Sequence, residues 1–231
     1  MPRHARAAAD APASSPPRRV RRSHAERSEA TRARLIATTI DLLQDRSYRG
    51  ATVFEVAKAA GLTHGALQHH FGSKAALMMA VTAEILRSSD AAGVAWPAPG
   101  LPLPQRAARY VQALWRRVYE PPRFLAAWSV YFGSAEEPEV REAVGVQRGE
   151  LSRALRKRFR EVFPELAPGP DAAALADLVF SALRGIAIVR LFGPAPRESA
   201  AQLRALAALL ARRVAADARP PAPSPRKRSP R

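Results

Sequence analysis

The sequence contains no cysteine and no asparagine among its 231 residues. The first absence excludes disulfides and thiolate chemistry and fits a reducing compartment. The second leaves glutamine as the only side-chain amide that can read a nucleic-acid base. No apolar run approaches the ~18 residues of a membrane span. Proline and serine follow the first arginines, where a signal peptide needs an apolar stretch. We therefore expect a cytoplasmic protein.

Positive charge is in large excess and is concentrated at both ends of the chain. The formal net charge is +17, and residues 1–22 and 219–231 each contribute +5. Both segments are rich in Pro, Ala and Arg and have little to bury, so we expect them to be disordered tails. Such tails would add salt-dependent attraction to DNA or RNA. Alternatively, they only keep an arginine-rich protein soluble.

Apolar residues recur at helical spacing almost throughout, and strand patterns are nearly absent, which predicts an all-α fold. Four helices are expected near the N-terminus: at 28–45, after Gly50, from Thr63 to His70, and after Gly72. The expected organisation is a basic tail (1–22), a DNA-binding head (23–90), a Pro-rich linker (91–104), a helical body (105–218) and a second tail (219–231). The body should contain helices near 105–119, 122–134, 138–163 (interrupted around Gly145 and Gly149), 171–192 and 199–217.

The third helix, Thr63 to His70, is too short to be stable alone. Isolated helices below about 12–15 residues are marginal in water, and the internal Gly65 costs roughly 1 kcal/mol relative to alanine. Leu67 and Phe71 share one face and can hold the helix against its neighbours. The opposite face is small and polar, which suits a surface that another molecule contacts. A helix, a tight turn at Gly61 and a short polar helix form a helix-turn-helix, whose second helix enters the major groove of DNA.

Several residues around this helix are suited to DNA. Thr52, with Glu55 three residues later, forms the capping-box pattern, and Thr52 and Thr63 stand at helix N-termini where phosphates bind. Lys74 lies in the first turn of a helix, where a cation is disfavoured by roughly 0.3–1 kcal/mol unless an anion is bound there. Gln68 can pair with adenine.

Taken together, these fragments resemble the head of the TetR family of bacterial transcriptional repressors. The resemblance covers residues 31–85, about a quarter of the chain, and lies in Ala51-Thr52-Val53-x-x-Val56-Ala57, Gly61-Leu62-Thr63-x-Gly65-x-Leu67 and His70-Phe71-x-Ser73-Lys74-x-x-Leu77. It implies an N-terminal helix-turn-helix head joined to a C-terminal helical ligand-binding and dimerisation body. Gln68 departs from the family, which usually has tyrosine there, so its role as base reader or phosphate contact stays open. The residues implied to face DNA are Thr52, Thr63, His64, Gly65, Ala66, Gln68, His69, His70 and Lys74.

A single recognition helix reads few base pairs, so repressors of this kind bind palindromic sites as two-fold dimers. The last two predicted helices are the candidates for the dimer contact, as halves of a four-helix bundle. Burial of the same residues within one chain is the alternative. The candidate interface residues are Leu175, Leu178, Val179, Ala182, Ile186, Leu203, Leu206 and Leu210.

The body holds most of the aromatic residues, and the resemblance implies that a small effector binds among its helices. An aromatic cluster suits a flat, apolar or cationic ligand, whereas an inward Arg116, Arg184 or Arg190 would favour an anion. Ordinary core packing explains the aromatics equally well. The candidate ligand residues are Tyr110, Trp115, Tyr119, Trp128, Tyr131 and Phe132.

Other classes of function have no support in the sequence. The histidines of the third helix do not form a metal-binding pattern, because two are adjacent and point apart and no carboxylate lies nearby. There is no glycine-rich phosphate loop, nucleophile elbow or catalytic acid pair, so we expect neither an enzyme nor a cofactor. The expected function is that of a ligand-responsive homodimeric repressor on a palindromic operator. The alternative is a sequence-indifferent DNA-binding protein acting through its basic tails.

Overall fold

A computed structural model describes residues 23–88, 95–193 and 196–218, and over these residues it contains helices and no strand. Both predicted tails lie outside the described residues, as do parts of the linker. The head consists of α1 (His24–Gly50), α2 (Val53–Ala59), α3 (His64–Phe71) and α4 (Lys74–Ser88). The expected all-α fold is therefore confirmed.

Helix α1 is longer at both ends than the prediction of 28–45. It begins at a complete capping box, in which the Ser23 hydroxyl accepts from the Glu26 amide at 3.2 Å and the Glu26 carboxylate accepts from the Ser23 amide at 2.7 Å. It continues to Gly50 but bends at Ser47, whose φ of 64° and ψ of 178° are not helical. A non-glycine residue in this region costs of order 1–3 kcal/mol. The bend turns the next residue, Tyr48, into a buried position.

The short helices of the head begin and end as their sequences predict. The Thr52 hydroxyl caps α2 by accepting from the Glu55 amide at 3.2 Å. The Glu55 carboxylate forms an ion pair with Arg46 at 2.8 Å instead of completing the capping box. Gly61 and Gly72 have φ of 63° and 72°, which a side chain would disfavour, and they form the turns that end α2 and α3.

The body contains five more helices in the described residues. The predicted interruption around Gly145 and Gly149 is wrong, because α7 runs through both glycines; tertiary packing of its apolar face outweighs their low helix propensity. The elements are α5 (Leu103–Leu114) with a π-helical turn (Trp115–Tyr119), α6 (Pro122–Gly133), α7 (Pro138–Val162), α8 (Pro170–Val189) with a 3₁₀ turn (Arg190–Phe192), and α9 (Pro196–Asp217).

The main core of the body is aromatic. The Tyr110 ring lies edge-on to Phe159 and Phe163, with ring centroids 5.6 and 5.3 Å apart. Trp96, from the predicted linker, packs on Tyr110 at 5.5 Å. Beside them the buried Arg106 pairs with Glu165. The described end of the linker is therefore part of the body.

The head shares its core with the body. Buried residues of α1, α3 and α4, such as Leu35, Leu67 and Val81, belong to one apolar cluster with Ala126 of α6 and Val140 of α7. Helices α6 and α7 therefore pack against the head.

The tightest contact between the two parts involves Tyr48, Gly133, Glu137 and Lys74, which we call the head–body joint. A Cβ atom on Gly133 would lie 2.2 Å from the Cβ of Tyr48, so only glycine allows this approach. The Tyr48 hydroxyl donates to the Glu137 carboxylate. Lys74 Nζ donates to the Tyr48 carbonyl oxygen at 3.1 Å and lies 4.0 Å from the centroid of the Tyr48 ring.

Gly133→Ala should reduce the free energy of unfolding by about 1–3 kcal/mol, because the new methyl group must displace the buried Tyr48 ring. Gly145→Ala is the matched control, since no atom lies within 4 Å of its added Cβ in the described structure. It should stabilise α7 by about 0.5–1 kcal/mol. Urea unfolding followed by circular dichroism measures both. Equal effects of the two substitutions would contradict the tight contact.

Candidate nucleic-acid interface and effector cavity

Helix α3 is held on one face and open on the other. Leu67 and Phe71 are buried in the head. The Arg32 guanidinium lies 4.3 Å from the Phe71 ring centroid and donates to the His70 carbonyl oxygen at 3.0 Å, which fastens the end of the helix to α1. The outward face is solvent-exposed and consists of His64, Gly65, Gln68 and His69.

The N-termini of α2 and α3 present free backbone donors beside exposed threonines. The Thr63 hydroxyl accepts from the Ala66 amide at 3.1 Å and so satisfies one of the four unpaired N–H groups of the first turn of α3. That turn carries no acidic residue. Thr52 caps α2 in the same way and is also exposed. Unpaired amides and the positive end of the helix dipole favour a bound phosphate.

The other predicted DNA residues of α3 differ in exposure. Ala66 and His70 are half-buried, and the His70 ring lies 5.5 Å from that of His69. The Gln68 side chain is exposed, but its amide nitrogen donates to the Gly72 carbonyl oxygen. In this conformation one of the two N–H donors of the Gln68 amide is used within the chain.

Lys74 is expected to contact a DNA phosphate, and the structure shows contacts with Tyr48 that the sequence did not reveal. It is half-buried in the head–body joint, where burial lowers the pKa of its ammonium group and nearby Glu137 opposes that shift. Its contact with a DNA phosphate stays a prediction. Its position nevertheless links the N-terminus of α4 to the body.

Phe54 is an additional candidate for the interface. Its side chain, 64% exposed, belongs to the second residue of α2, beside the cap Thr52. The signal in the sequence was an apolar residue on the more polar side of a short helix.

Comparison with known proteins agrees with this geometry. The family model described as bacterial regulatory proteins, tetR family, matches residues 35–81, which span α1 to α4. The regulator BetI of Rhizobium meliloti (strain 1021) is 26% identical over 167 residues, covering 71% of this chain and 80% of BetI. The head therefore matches the TetR family of bacterial regulatory proteins, and the chain resembles a regulator over most of its length.

Two further proteins are similar to this chain, one over the head alone and the other over most of the fold. The regulator CymR of Pseudomonas putida is 40% identical over 60 residues, but this match covers only 26% of this chain and 30% of CymR. A TetR regulator from Chloroflexus aurantiacus has the same fold, with a TM-score of 0.60 at 22% identity over 82% of this chain and 96% of that one. The predicted resemblance is therefore confirmed.

A cavity of about 90 Å³ between α4 of the head and the helices of the body brings together three of the six candidate ligand residues, Tyr119, Trp128 and Tyr131. Phe124 lies between Tyr119 and Trp128, with ring centroids 5.2 and 6.3 Å away. Burial raises the pKa of Tyr119 to about 12, partly offset by the guanidinium of Arg184. The remaining lining residues, which sequence reasoning did not group together, are Thr82, Ile85, Leu86, Val118, Ala127, Val144, Arg148, Leu151, Ser152, Leu155 and Phe180.

The other three candidate ligand residues lie elsewhere. Tyr110 is completely buried in the aromatic core of the body. Trp115 lines a separate, wider cavity of about 540 Å³ between α5 and α9. Phe132 is 57% exposed and lies against Trp128. Spacing along α5 and α6 could not separate these cases, because neighbouring helices decide which ring is covered.

The predicted dimer residues divide into two groups. Val179, Leu203 and Leu210 are buried in the core of the single chain, so a second copy cannot reach them. Leu175, Ala182, Ile186 and Leu206 are half-buried, and Leu178 is 65% exposed. Helix α8 carries apolar residues on more than one side, and a pattern of that kind does not show which side meets the same chain.

One apolar stripe remains exposed on α8 and α9. It runs along α8 through Leu178, the half-buried Ala182, Gly185 and Val189 at spacings of three to four residues and includes Leu209 of α9, 61% exposed. By length and composition Pro170–Phe192 could also cross a membrane, and 33% of its most apolar part is buried within the chain. Asp177 and Arg184 interrupt the stretch.

Gly65→Ala should separate DNA binding from stability. An added Cβ would meet only the Thr63 hydroxyl, at 3.9 Å, so the head has room for it. The free energy of unfolding should rise by up to about 1 kcal/mol. Affinity for a duplex selected from a random pool should fall about tenfold, because the methyl group occupies space that α3 needs against the base edges.

Urea unfolding and fluorescence anisotropy with a labelled duplex measure the two effects of Gly65→Ala. Gly145→Ala on α7 is the control, because it gains the same helix propensity away from α3 and should leave DNA affinity unchanged. Unchanged DNA affinity of Gly65→Ala would show that α3 does not approach the bases closely at this residue.

Proposed function

We propose that the protein is a sequence-specific transcriptional regulator that binds a palindromic operator as a homodimer and represses until a small effector binds. The observation that carries this proposal is α3, whose apolar edge is buried while His64, Gly65, Gln68 and His69 face outward. Phosphate contacts from the N-termini of α2 and α3 would position the helix, and its exposed side chains would read the bases. We place this activity in the cytoplasm and assign it no catalytic step.

The exposed stripe of α8 and α9 supports the homodimer. In a four-helix bundle made from two copies, Leu178 and Leu209 would lose their contact with water, and Gly185 would allow close approach of the helices. Full burial of one leucine contributes about 1.5–3 kcal/mol. The contact would be isologous, so each substitution acts twice.

Leu178→Glu should therefore convert the dimer to monomers at micromolar concentration, since two carboxylates would have to be desolvated in the bundle. Val146→Glu, on α7 with 58% exposure, is a matched control that should remain dimeric. Sedimentation velocity measures the state, and circular dichroism verifies the helix content. If Leu178→Glu is folded and dimeric, the α8–α9 stripe is not the interface.

The effector cavity supports ligand response because two of the helices that line it, α4 and α6, also reach the head–body joint. Ile85 and Leu86 place the C-terminal half of α4 against it, and α4 begins at Lys74. Trp128 and Tyr131 place α6 against it, and α6 ends at Gly133 in the head–body joint. A ligand that separates these walls would shift α4 and the joint together. Such a shift changes the spacing of two heads on DNA, provided that the ligand prefers the shifted state.

Selection of bound duplexes from a random pool by the full-length protein tests the function directly. The enriched sequences should be palindromic, with half-sites about one helical turn or a multiple of it apart. The full-length protein should prefer the selected duplex over a shuffled one by about 10³-fold or more. Residues 23–218 alone should keep this preference, with lower affinity and a shallower salt dependence than the full chain.

Electrophoretic mobility shifts at several salt concentrations measure both preferences. If the pool yields no enriched sequence and removal of the tails abolishes nearly all binding, the sequence-indifferent alternative holds instead.

A further inference from the structure

The cavity between α4, α6, α7 and α8 is aromatic but also positively charged. Its lining includes Arg148 and Arg184 together with the hydroxyls of Thr82 and Ser152. None of its described lining residues is acidic. The charged side chains that line the described cavity are therefore all positive.

Arg184 lies within the aromatic wall. Its guanidinium lies beside Tyr119, where it opposes the effect of burial on the pKa of that hydroxyl, and it lies 6.0 Å from the centroid of the Trp128 ring. A guanidinium has five N–H donors in a fixed planar fork, so one neighbouring hydroxyl leaves most of them available. Burial of a charge without a partner is costly.

Two other arginines of α7 have acidic partners, in contrast to Arg148 and Arg184. Arg156 pairs with Asp177 at 2.7 Å, and Arg158 pairs with Glu161 at 2.5 Å. Over the residues that the structure describes, neither Arg148 nor Arg184 forms an ion pair. Both line the same cavity, where Arg184 is half-buried and Arg148 is exposed to solvent.

These observations decide between the ligand classes that the aromatic residues left open. A cationic ligand would use the Trp128 face, but Arg184 already lies over it and would repel a second cation. An anion would gain charge-assisted, potentially bidentate hydrogen bonds from the same guanidinium. The rings of Phe124 and Trp128 would cover a planar apolar body.

We propose that the effector is a planar, mostly apolar molecule with one carboxylate, bound through Arg184 and assisted by Arg148 at α7. This assignment rests on the proposed function, in which the cavity is the effector site. The cavity of about 90 Å³ is smaller than the roughly 150 Å³ that accommodates a benzene ring in an engineered protein cavity. Entry of an aromatic acid must therefore displace wall residues such as the 38% exposed Tyr131, and this displacement is what moves α6 against α4.

Isothermal titration of the full-length protein with three carboxylates, benzoate, 4-methylbenzoate and 1-naphthoate, tests the ligand class. The neutral and cationic counterparts are the matching aryl methanols and aryl methylammonium ions. At least one carboxylate should bind about 10- to 100-fold more tightly than its neutral counterpart, and the cations should bind more weakly still. Binding of a cation or a neutral compound as tightly as its acid would overturn the proposal, and so would a failure of all three acids to bind.

Arg184→Met tests the residue. It removes the charge while keeping an extended side chain, and it should abolish the preference for acid over neutral ligand; Arg184→Lys should retain part of it. Arg153→Met, an exposed arginine of α7 outside the cavity lining, is the matched control and should bind like the parent protein. An unchanged acid preference in folded Arg184→Met would also overturn the assignment.

DNA binding without ligand separates this inference from the proposed function. The control Arg153→Met should bind the selected duplex as the parent protein does, since Arg153 is exposed and lies outside the cavity lining. If the parent binds that duplex specifically but ignores every acid, the ligand class is wrong and the DNA-binding function stands. If the parent shows no sequence preference at all, the proposed function itself fails.

Discussion

The contact of Tyr48 with Gly133 is the constraint on which the rest of this protein depends. The bend at Ser47 directs Tyr48 out of α1, and the missing side chain at Gly133 lets its ring reach the end of α6. The Tyr48 hydroxyl donates to Glu137, and the Tyr48 backbone carbonyl oxygen accepts from Lys74. One aromatic residue thereby connects α1, α4, α6 and the start of α7. A change in any of these helices must be accommodated by the others, because close-packed interiors transmit displacement.

The recognition helix is a local consequence of this arrangement. Eight residues with an internal glycine would not stay helical alone, and α3 is maintained by the burial of Leu67 and Phe71 and by Arg32 across its C-terminal end. The glycine that weakens the helix also lets another molecule approach its backbone closely, since only the Thr63 hydroxyl of the described chain lies within 4 Å of a Cβ added at Gly65. The same packing joins this exposed face to α6 and α7 through the shared core.

The body combines two surfaces with different chemistry on the same helices. One side of α8 contributes Phe180 and Arg184 to the cavity, and the other carries the exposed Leu178 and Val189. A ligand at Arg184 and a second copy at Leu178 would therefore act on one rigid helix from opposite sides. This geometry gives a physical route by which an effector could alter the relation between two heads.

The sequence by itself determined the helical class, the positions of the turns at Gly61 and Gly72 and the docked edge of α3, because these follow from local spacing and backbone sterics. It also identified the family that the head matches, through an ordered set of short fragments in the head. Only the tertiary structure decided that Tyr110 is core while Tyr119, Trp128 and Tyr131 share a cavity, and that Val179 faces inward while Leu178 faces outward. It also revealed the joint of Tyr48 with Gly133 and the position of Arg184 in the cavity. These features depend on which helices meet across long sequence separations, and a helical pattern gives the faces of each helix but not its neighbours.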